Sequence, residues 1–198
     1  MMKQTSKKPM SRPRFVGKGL RRQKGELSLV EAAAVMAAAA LITLVAYMGR
    51  GYIMDRVHAF QFKSEAQYFR SGIQDATSGD VDFASVTMLS LAQNHAFDSA
   101  GRRLNTTTGA LTGLFGGAVT AAAATVTASN DAVAVTYPVP STVCTLSADA
   151  IASAYTMVKV NNTTISGPGT TYSSGASASA CASAGATASV VMYATHDN

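Results

Sequence analysis

Gly25-Glu26-Leu27-Ser28-Leu29-Val30-Glu31 opens the stretch that decides the fold, which continues as AAAVMAAAALITLVAYM to Met48. From Leu27 to Met48 the 22 positions hold one ionisable side chain, Glu31, and neither Gly nor Pro. As a helix rising 1.5 Å per residue, such a run is about 33 Å long, the thickness of a hydrocarbon core. Its Ala and Leu content favours helix over strand.

The residues before this run set its orientation. Of the sixteen Lys and Arg in the chain, nine lie before residue 26, with no acid among them. The leader therefore carries +9, and the rest of the chain, with seven bases against eleven acids, carries −4. The overall +5 averages two unlike pieces and is no evidence for a nucleic-acid partner. A basic flank followed by an apolar helix places the amino terminus in the cytoplasm and the remainder across the membrane. Arg21-Arg22 lacks the flanks of a twin-arginine signal and reads as part of this basic flank.

A secretory signal peptide has its apolar stretch ahead of the cleavage site. Here the leader ends at Lys24-Gly25-Glu26, just before the apolar run, so a cut at that point removes the leader and keeps the helix. Glu31 then needs an explanation, because a carboxylate inside a membrane helix costs roughly 2.5–3.5 kcal/mol or more. One reading has it reaching the headgroups. The other pairs it with a positive group from another subunit, such as a newly exposed amino terminus, and the preceding Gly, the leader and the retained helix favour this second reading.

Residues 25–31 resemble the class III signal of type IV prepilins, and the length of the leader is similar to the type IVb branch, with its bundle-forming, toxin-coregulated and conjugative thin-pilus pilins. The resemblance implies cleavage after Gly25 by a prepilin peptidase, methylation of the new terminus, and a Glu that neutralises a neighbouring subunit's terminal amine. In that family the Glu is usually fifth in the mature chain. A cut after Gly25 makes Glu26 first and Glu31 sixth, and one residue turns a helical side chain by about 100°. A cut after Glu26 would restore the usual spacing, whereas Gly25 matches the cleavage residue of the motif and is preferred.

Gly49-Arg50-Gly51 follows the apolar run and is a place for the helix to bend or melt, or simply marks the membrane boundary. Beyond it, Ala59, Phe62, Ala66, Phe69 and Ile73 recur at intervals of three and four, with Ile53, Val57 and Phe60 on an adjoining stripe, the pattern of an amphipathic helix. Arg56, Lys63, Glu65, Arg70 and Asp75 fall largely off the stripe. The helix is expected from about Leu27 to Asp75, its outer half against a sheet.

Residues 77 to about 112 read as a connection with one short helix near Ala84–Gln93. From Gly113 the chain turns to short apolar or Thr-rich runs separated by turns. Strands are expected at 118–126, 132–139, 157–160 and 188–194 in an antiparallel sheet, with Ser129-Asn130-Asp131 as a hairpin turn and Asn161-Asn162 ending the third. A short helix capped by Ser147 is expected at 147–154. The Ser, Ala and Gly-rich segment 173–188 has the composition of a flexible linker, yet it contains Cys181.

Cys144 and Cys181 are the two thiols of the chain. On the translocated side an oxidising compartment favours a disulfide between them, the alternative being two buried unpaired thiols. The loop so closed contributes roughly 4 kcal/mol. Leu114-Phe115-Gly116-Gly117 ahead of a strand, and Cys181 ahead of a terminal strand, are similar to the sheet start and the disulfide-bounded carboxyl region of bundle-forming pilins.

The composition, 47% apolar and 14% charged, excludes a disordered chain, and two Cys exclude a disulfide-dense miniprotein. His58, His95 and His196 are scattered without metal-ligand spacing. No nucleophile elbow, phosphate loop or dinucleotide fingerprint appears. No catalytic residue, metal or cofactor is therefore expected, and Arg102-Arg103 alone makes no nucleic-acid patch. Asn105, Asn161 and Asn162 begin N-x-Thr triplets that read as chance.

The expected organisation is a removed leader (1–25), a membrane or filament-core helix (26–51), an amphipathic helix (52–76) and an α+β head (77–198). The expected role is a structural subunit, held in the inner membrane with its head in the periplasm and then polymerised into an extracellular filament for adhesion, aggregation or conjugative contact. Its partners would be copies of itself, the prepilin peptidase and the inner-membrane assembly machinery. A minor pilin or secretion pseudopilin is the nearest alternative, and a signal-anchored periplasmic binding protein or enzyme is one of another class.

Overall fold

The computed structural model describes residues 29–196, so the leader, Gly25 and Glu26 lie outside the described residues. The chain divides into two compact units, Met1–Val45 and Ala46–Asn198. Helix α1 covers Leu29–Ala76, close to the expected range. It remains helical through Gly49 and Gly51, the expected place for a bend or melt, and nothing lies within 4 Å of where a side chain would begin at either.

In the second unit, the stripe at three- and four-residue spacing is the buried face of α1. Ala59, Phe62, Ala66, Phe69 and Ile73 are all buried, the last four to within 1%. The next elements are a short helix α2 (Met88–Gln93), a 3₁₀ turn (Asp98–Arg103), β1 (Leu111–Thr112), β2 (Ala118–Ala124), β3 (Ala132–Pro140), α3 (Ser141–Ile151), β4 (Met157–Val160), β5 (Thr163–Ser166), α4 (Ser174–Ala182) and β6 (Thr187–Ala194). The strands form one six-stranded sheet in the order β1-β2-β3-β6-β4-β5, with every pairing antiparallel. The outer half of the long helix thus packs on an antiparallel sheet carrying one disulfide, as expected.

Phe62 meets Tyr137 of β3 edge-on at 4.9 Å, and Phe69 meets Phe97 in the same manner at 4.9 Å. Such edge-to-face pairs add to the gain from burial. The Tyr155 hydroxyl donates to the Ala66 carbonyl at 2.6 Å, and Gln74 Nε2 donates to the Thr195 carbonyl at 3.0 Å, tying α1 to the end of the β4–β6 pairing where β4 begins and β6 ends. Burial raises the Tyr155 phenol well above its usual range, so it stays a neutral donor.

Last in sequence, β6 lies between β3 and β4, with its register running from Val133↔Ala194 to Pro140↔Thr187 on one side and from Met157↔Tyr193 to Val160↔Val190 on the other. The sheet is therefore incomplete until the carboxyl terminus arrives. Pro138 and Pro140 fall beyond the β2 pairing, which ends at Thr120↔Thr136. There β3 has one neighbour, and a missing N–H is tolerated.

Several boundaries depart from expectation for local reasons. The first hairpin strand stops at Ala124, because the Asp131 carboxylate gathers the backbone N–H groups of Val126, Thr127 and Ala128 and the Thr127 hydroxyl, at 2.6–2.8 Å. Burial pushes that carboxyl up, but these donors outweigh it and hold it well below the usual range. Asn161 and Asn162, read as a strand end, adopt positive φ of 48° and 69° and join β4 to β5 as a hairpin. The short helix near 84–93 contracts to Met88–Gln93, where Thr87 and Ser90 form a reciprocal cap. Ser147 is not a cap: α3 starts after Pro140 and buries Ser147 in its interior. Within segment 173–188, whose composition matches a linker, Ser174–Ala182 forms α4, capped by Ser173.

Cys144 of α3 and Cys181 of α4 form a disulfide across a separation of 37 residues. Such a loop stabilises by roughly 4 kcal/mol. It joins two helices whose small side chains offer limited apolar area of their own.

Gly72 is where α1 makes its closest approach to the connection. A Cβ there would lie 2.2 Å from the Ala96 carbonyl oxygen. Alanine normally stabilises a helix interior over glycine by about 1 kcal/mol. At this site Gly72→Ala should instead destabilise by roughly 1–3 kcal/mol, because backbone must shift to admit the methyl. Thermal unfolding of the detergent-solubilised chain checks the sign, and an unchanged or raised midpoint would show that the connection yields freely.

Candidate assembly surface

Within the first unit, Val30, Val35, Met36, Leu41, Ile42, Leu44 and Val45 are each between 52% and 77% exposed. These positions point to every side of the helix, and an all-round apolar helix belongs in lipid or among other helices. The most apolar 18-residue window of α1 has mean hydropathy 2.0 and is 0% buried within the chain, so α1 is long and apolar enough to cross a membrane. Glu31 is exposed near the beginning of the described helix. Gly25 and Glu26, the cleavage candidates, lie outside the described residues.

In the second unit the stripe of Ile53, Val57 and Phe60 departs from the core. It remains 62%, 42% and 77% exposed, beside Tyr52, whose ring carries the Arg56 guanidinium at 5.0 Å. Sequence periodicity places these residues next to the buried face but does not say where the sheet ends. The head covers the face of α1 that carries Ala59, Phe62, Ala66, Phe69 and Ile73, leaving the adjoining stripe through Phe60 open.

A polar node absent from the sequence reading holds the head to α1. Glu65 is 6% exposed and forms an ion pair with Arg103 of the 3₁₀ turn. Arg103 Nη1 also donates to Glu65 Oε1 at 3.1 Å and to the Thr112 carbonyl at 2.9 Å. The Tyr137 hydroxyl donates to Glu65 Oε1 at 3.0 Å and accepts the Leu114 N–H. The node thereby joins α1, the connection, the β1–β2 hairpin and β3. Bonding to Glu65 raises the Arg103 pKa further, and burial raises that of Tyr137, so the guanidinium stays charged and the phenol neutral. The expectation that Glu65 sits off the buried stripe is corrected. It stands three residues after Phe62 and four before Phe69, which is the buried face, and that spacing was the available signal.

The structure leaves the three histidines apart. His58 lies against the Phe115 ring at 5.9 Å, His95 pairs with Asp98 at 2.9 Å on the surface, and His196 stacks on Phe83 at 4.3 Å. Among the described residues, no group of three His, Cys, Asp or Glu is placed to hold a metal.

No protein-family model matches the sequence, and no curated protein matches it. Among solved structures, the fold is similar to that of TcpA, a type IV pilin from the El Tor biotype of Vibrio cholerae. The identity is 12%, the match covers 68% of this chain and 99% of that one, and the TM-score is 0.47.

Proposed function

We propose that the chain is a prepilin-like structural subunit of the type IVb kind. It is cut after Gly25, keeps its apolar helix, and polymerises through that helix into a surface filament. The observation that carries this reading is the apolar window of α1, hydropathy 2.0 with no share of it buried by the chain itself. A surface of this kind is stable in lipid and equally stable against helices of the same composition, because lipid tails and aliphatic side chains are about equally apolar. Transfer from bilayer to filament is then nearly neutral for the aliphatic residues.

Glu31 supplies the exception that directs assembly. Carried into the filament core, its carboxylate is stabilised by the amino terminus of a neighbouring copy, and the two charges offset each other's desolvation. The disulfide fits a head that folds in an oxidising compartment. The +9 leader keeps the amino terminus cytoplasmic until the peptidase acts. Partners are further copies of the chain, the prepilin peptidase and the inner-membrane assembly machinery, and the finished filament serves adhesion, aggregation or conjugative contact.

Intact mass of the protein extracted from membranes and from sheared surface material tests the reading. The expected species lacks residues 1–25 and carries one added methyl group. A mass retaining the leader in both fractions overturns it, and a mass lacking Glu26 as well would move the cut by one residue. Abundant sheared filaments built from this chain are expected of a major subunit, whereas traces would indicate a minor one.

A further inference from the structure

We propose that the Asp80-Val81-Asp82 tip of one copy seats in the hollow that Ile53, Val57 and Phe60 form on α1 of a second copy, its two carboxylates meeting Arg56 and Lys63. The inference rests on the filament reading and names a contact between heads within it.

Val81 is 101% exposed and stands between two carboxylates, Asp80 and Asp82. The tip is nevertheless firmly held at both ends. Thr77 is buried and its hydroxyl donates to the Ile73 carbonyl at 2.7 Å, and the Asp80 N–H returns to the Thr77 carbonyl at 3.0 Å. On the far side, Phe83 is buried and its N–H donates to the Asn130 carbonyl at 2.9 Å. A projecting apolar side chain on an anchored support loses little freedom on docking.

The hollow has the complementary chemistry. It is an open depression of about 330 Å³ walled by the exposed Ile53, Val57 and Phe60, and Arg56 lines it. Arg56 and Lys63, seven residues apart, share a side of α1, and Lys63 follows Phe60 by one turn. Both cations, with Asp149 of α3, line the adjoining groove, so one carboxylate there faces two positive charges. The ion pairs found among the described residues are Arg103–Glu65 and His95–Asp98, which include neither these cations nor the tip carboxylates. Asp82 Oδ1 accepts the Ala84 N–H at 3.0 Å, leaving its second oxygen for a partner.

Tip and hollow cannot meet within one chain. The 19 helical steps of α1 from Val57 to Ala76 hold them about 29 Å apart. The same distance sets the axial offset at which a second, parallel copy would bring its tip to the hollow. Such a contact joins two different surfaces and leaves one of each unused at the ends. It is therefore heterologous and non-closing, the symmetry that builds a fibre.

The test uses the full chain carrying Val57→Cys and Val81→Cys together, with sheared filaments oxidised mildly and run under denaturing conditions. A ladder of covalent oligomers is expected, with each single variant remaining monomeric. In a second arm, Arg56→Asp with Lys63→Asp should lower filament yield by about tenfold or more, and adding Asp80→Lys with Asp82→Lys should restore it. Oxidised Cys144–Cys181 in every variant certifies the fold. Abundant filaments without a ladder overturn the docking and leave the filament reading intact. A loss that the charge exchange does not restore also overturns it, assigning the cations to another occupant such as a phosphate headgroup. A native chain that forms no filaments at all fails the underlying reading, and the docking with it.

Discussion

Replacing Glu31 by alanine is expected to leave membrane insertion and cleavage intact while filament yield falls by about 100-fold or more. The substitution removes a carboxylate whose placement in hydrocarbon costs roughly 2.5–3.5 kcal/mol, so insertion can only improve. In the proposed reading, cleavage lies ahead of it, after Gly25. What is lost, in the proposed reading, is the charge that offsets a neighbour's terminal amine. Leaving that amine alone in an apolar core carries a penalty of several kcal/mol, and each 1.4 kcal/mol is about tenfold in an equilibrium. Quantifying the chain in sheared and membrane fractions, with intact mass to verify processing, reads both halves of the expectation. Normal fibres from this variant would show that charge pairing does not direct assembly.

The second large effect is expected at Arg103. Arg103→Met leaves the Glu65 carboxylate 6% exposed with only the Tyr137 hydroxyl as a side-chain donor. Removing one partner of a buried pair typically destabilises by about 3–5 kcal/mol, and because Arg103 is itself 29% exposed the lower end applies. A loss of about 3 kcal/mol corresponds to a fall of roughly 10 °C in the unfolding midpoint for a head of this size. Urea unfolding of the detergent-solubilised chain, followed by the tyrosine signal, measures it. Adding Glu65→Leu to Arg103→Met should recover most of the loss, since an apolar pair in that space replaces the stranded charge. If Arg103→Met alone costs under about 1 kcal/mol, the node contributes no more than a surface ion pair.

The two halves of α1 were legible to different depths. The apolar run and the basic leader are signals of composition, which need no partner to be read. The stripe from Ala59 to Ile73 is a signal of periodicity, and it marked the buried face correctly because burial in a helix repeats every three to four residues. Periodicity also admitted Ile53, Val57 and Phe60, which the head leaves uncovered. Glu65 carries a charge, which argues for solvent, yet its spacing lies on the buried face. A carboxylate is an acceptable core residue only when a partner is present, and Arg103 arrives from 38 residues away.

In the head, Thr-rich and Val-rich runs announced four strands, while the two-residue β1 is too short to stand out and β5, Thr163–Ser166, carries a single aliphatic residue, Ile165. Segment 173–188 shows the limit from the other side, since Ser, Ala and Gly with little apolar mass describe a linker as well as a packed helix. The disulfide and its position over α3 settle the choice in favour of helix.

By itself, the sequence determined that this chain carries an apolar helix long enough to cross a membrane, that a basic stretch precedes it, and which face of its outer half is buried. These are properties of single segments, set by hydropathy, charge and helical period. Only the tertiary structure decided that β6 is threaded between β3 and β4, that Glu65 is buried against Arg103 and Tyr137, and that Val81 projects while Ile53 and Phe60 remain open. Each of these depends on groups far apart in the chain meeting in space, and no local pattern of residues encodes such a meeting.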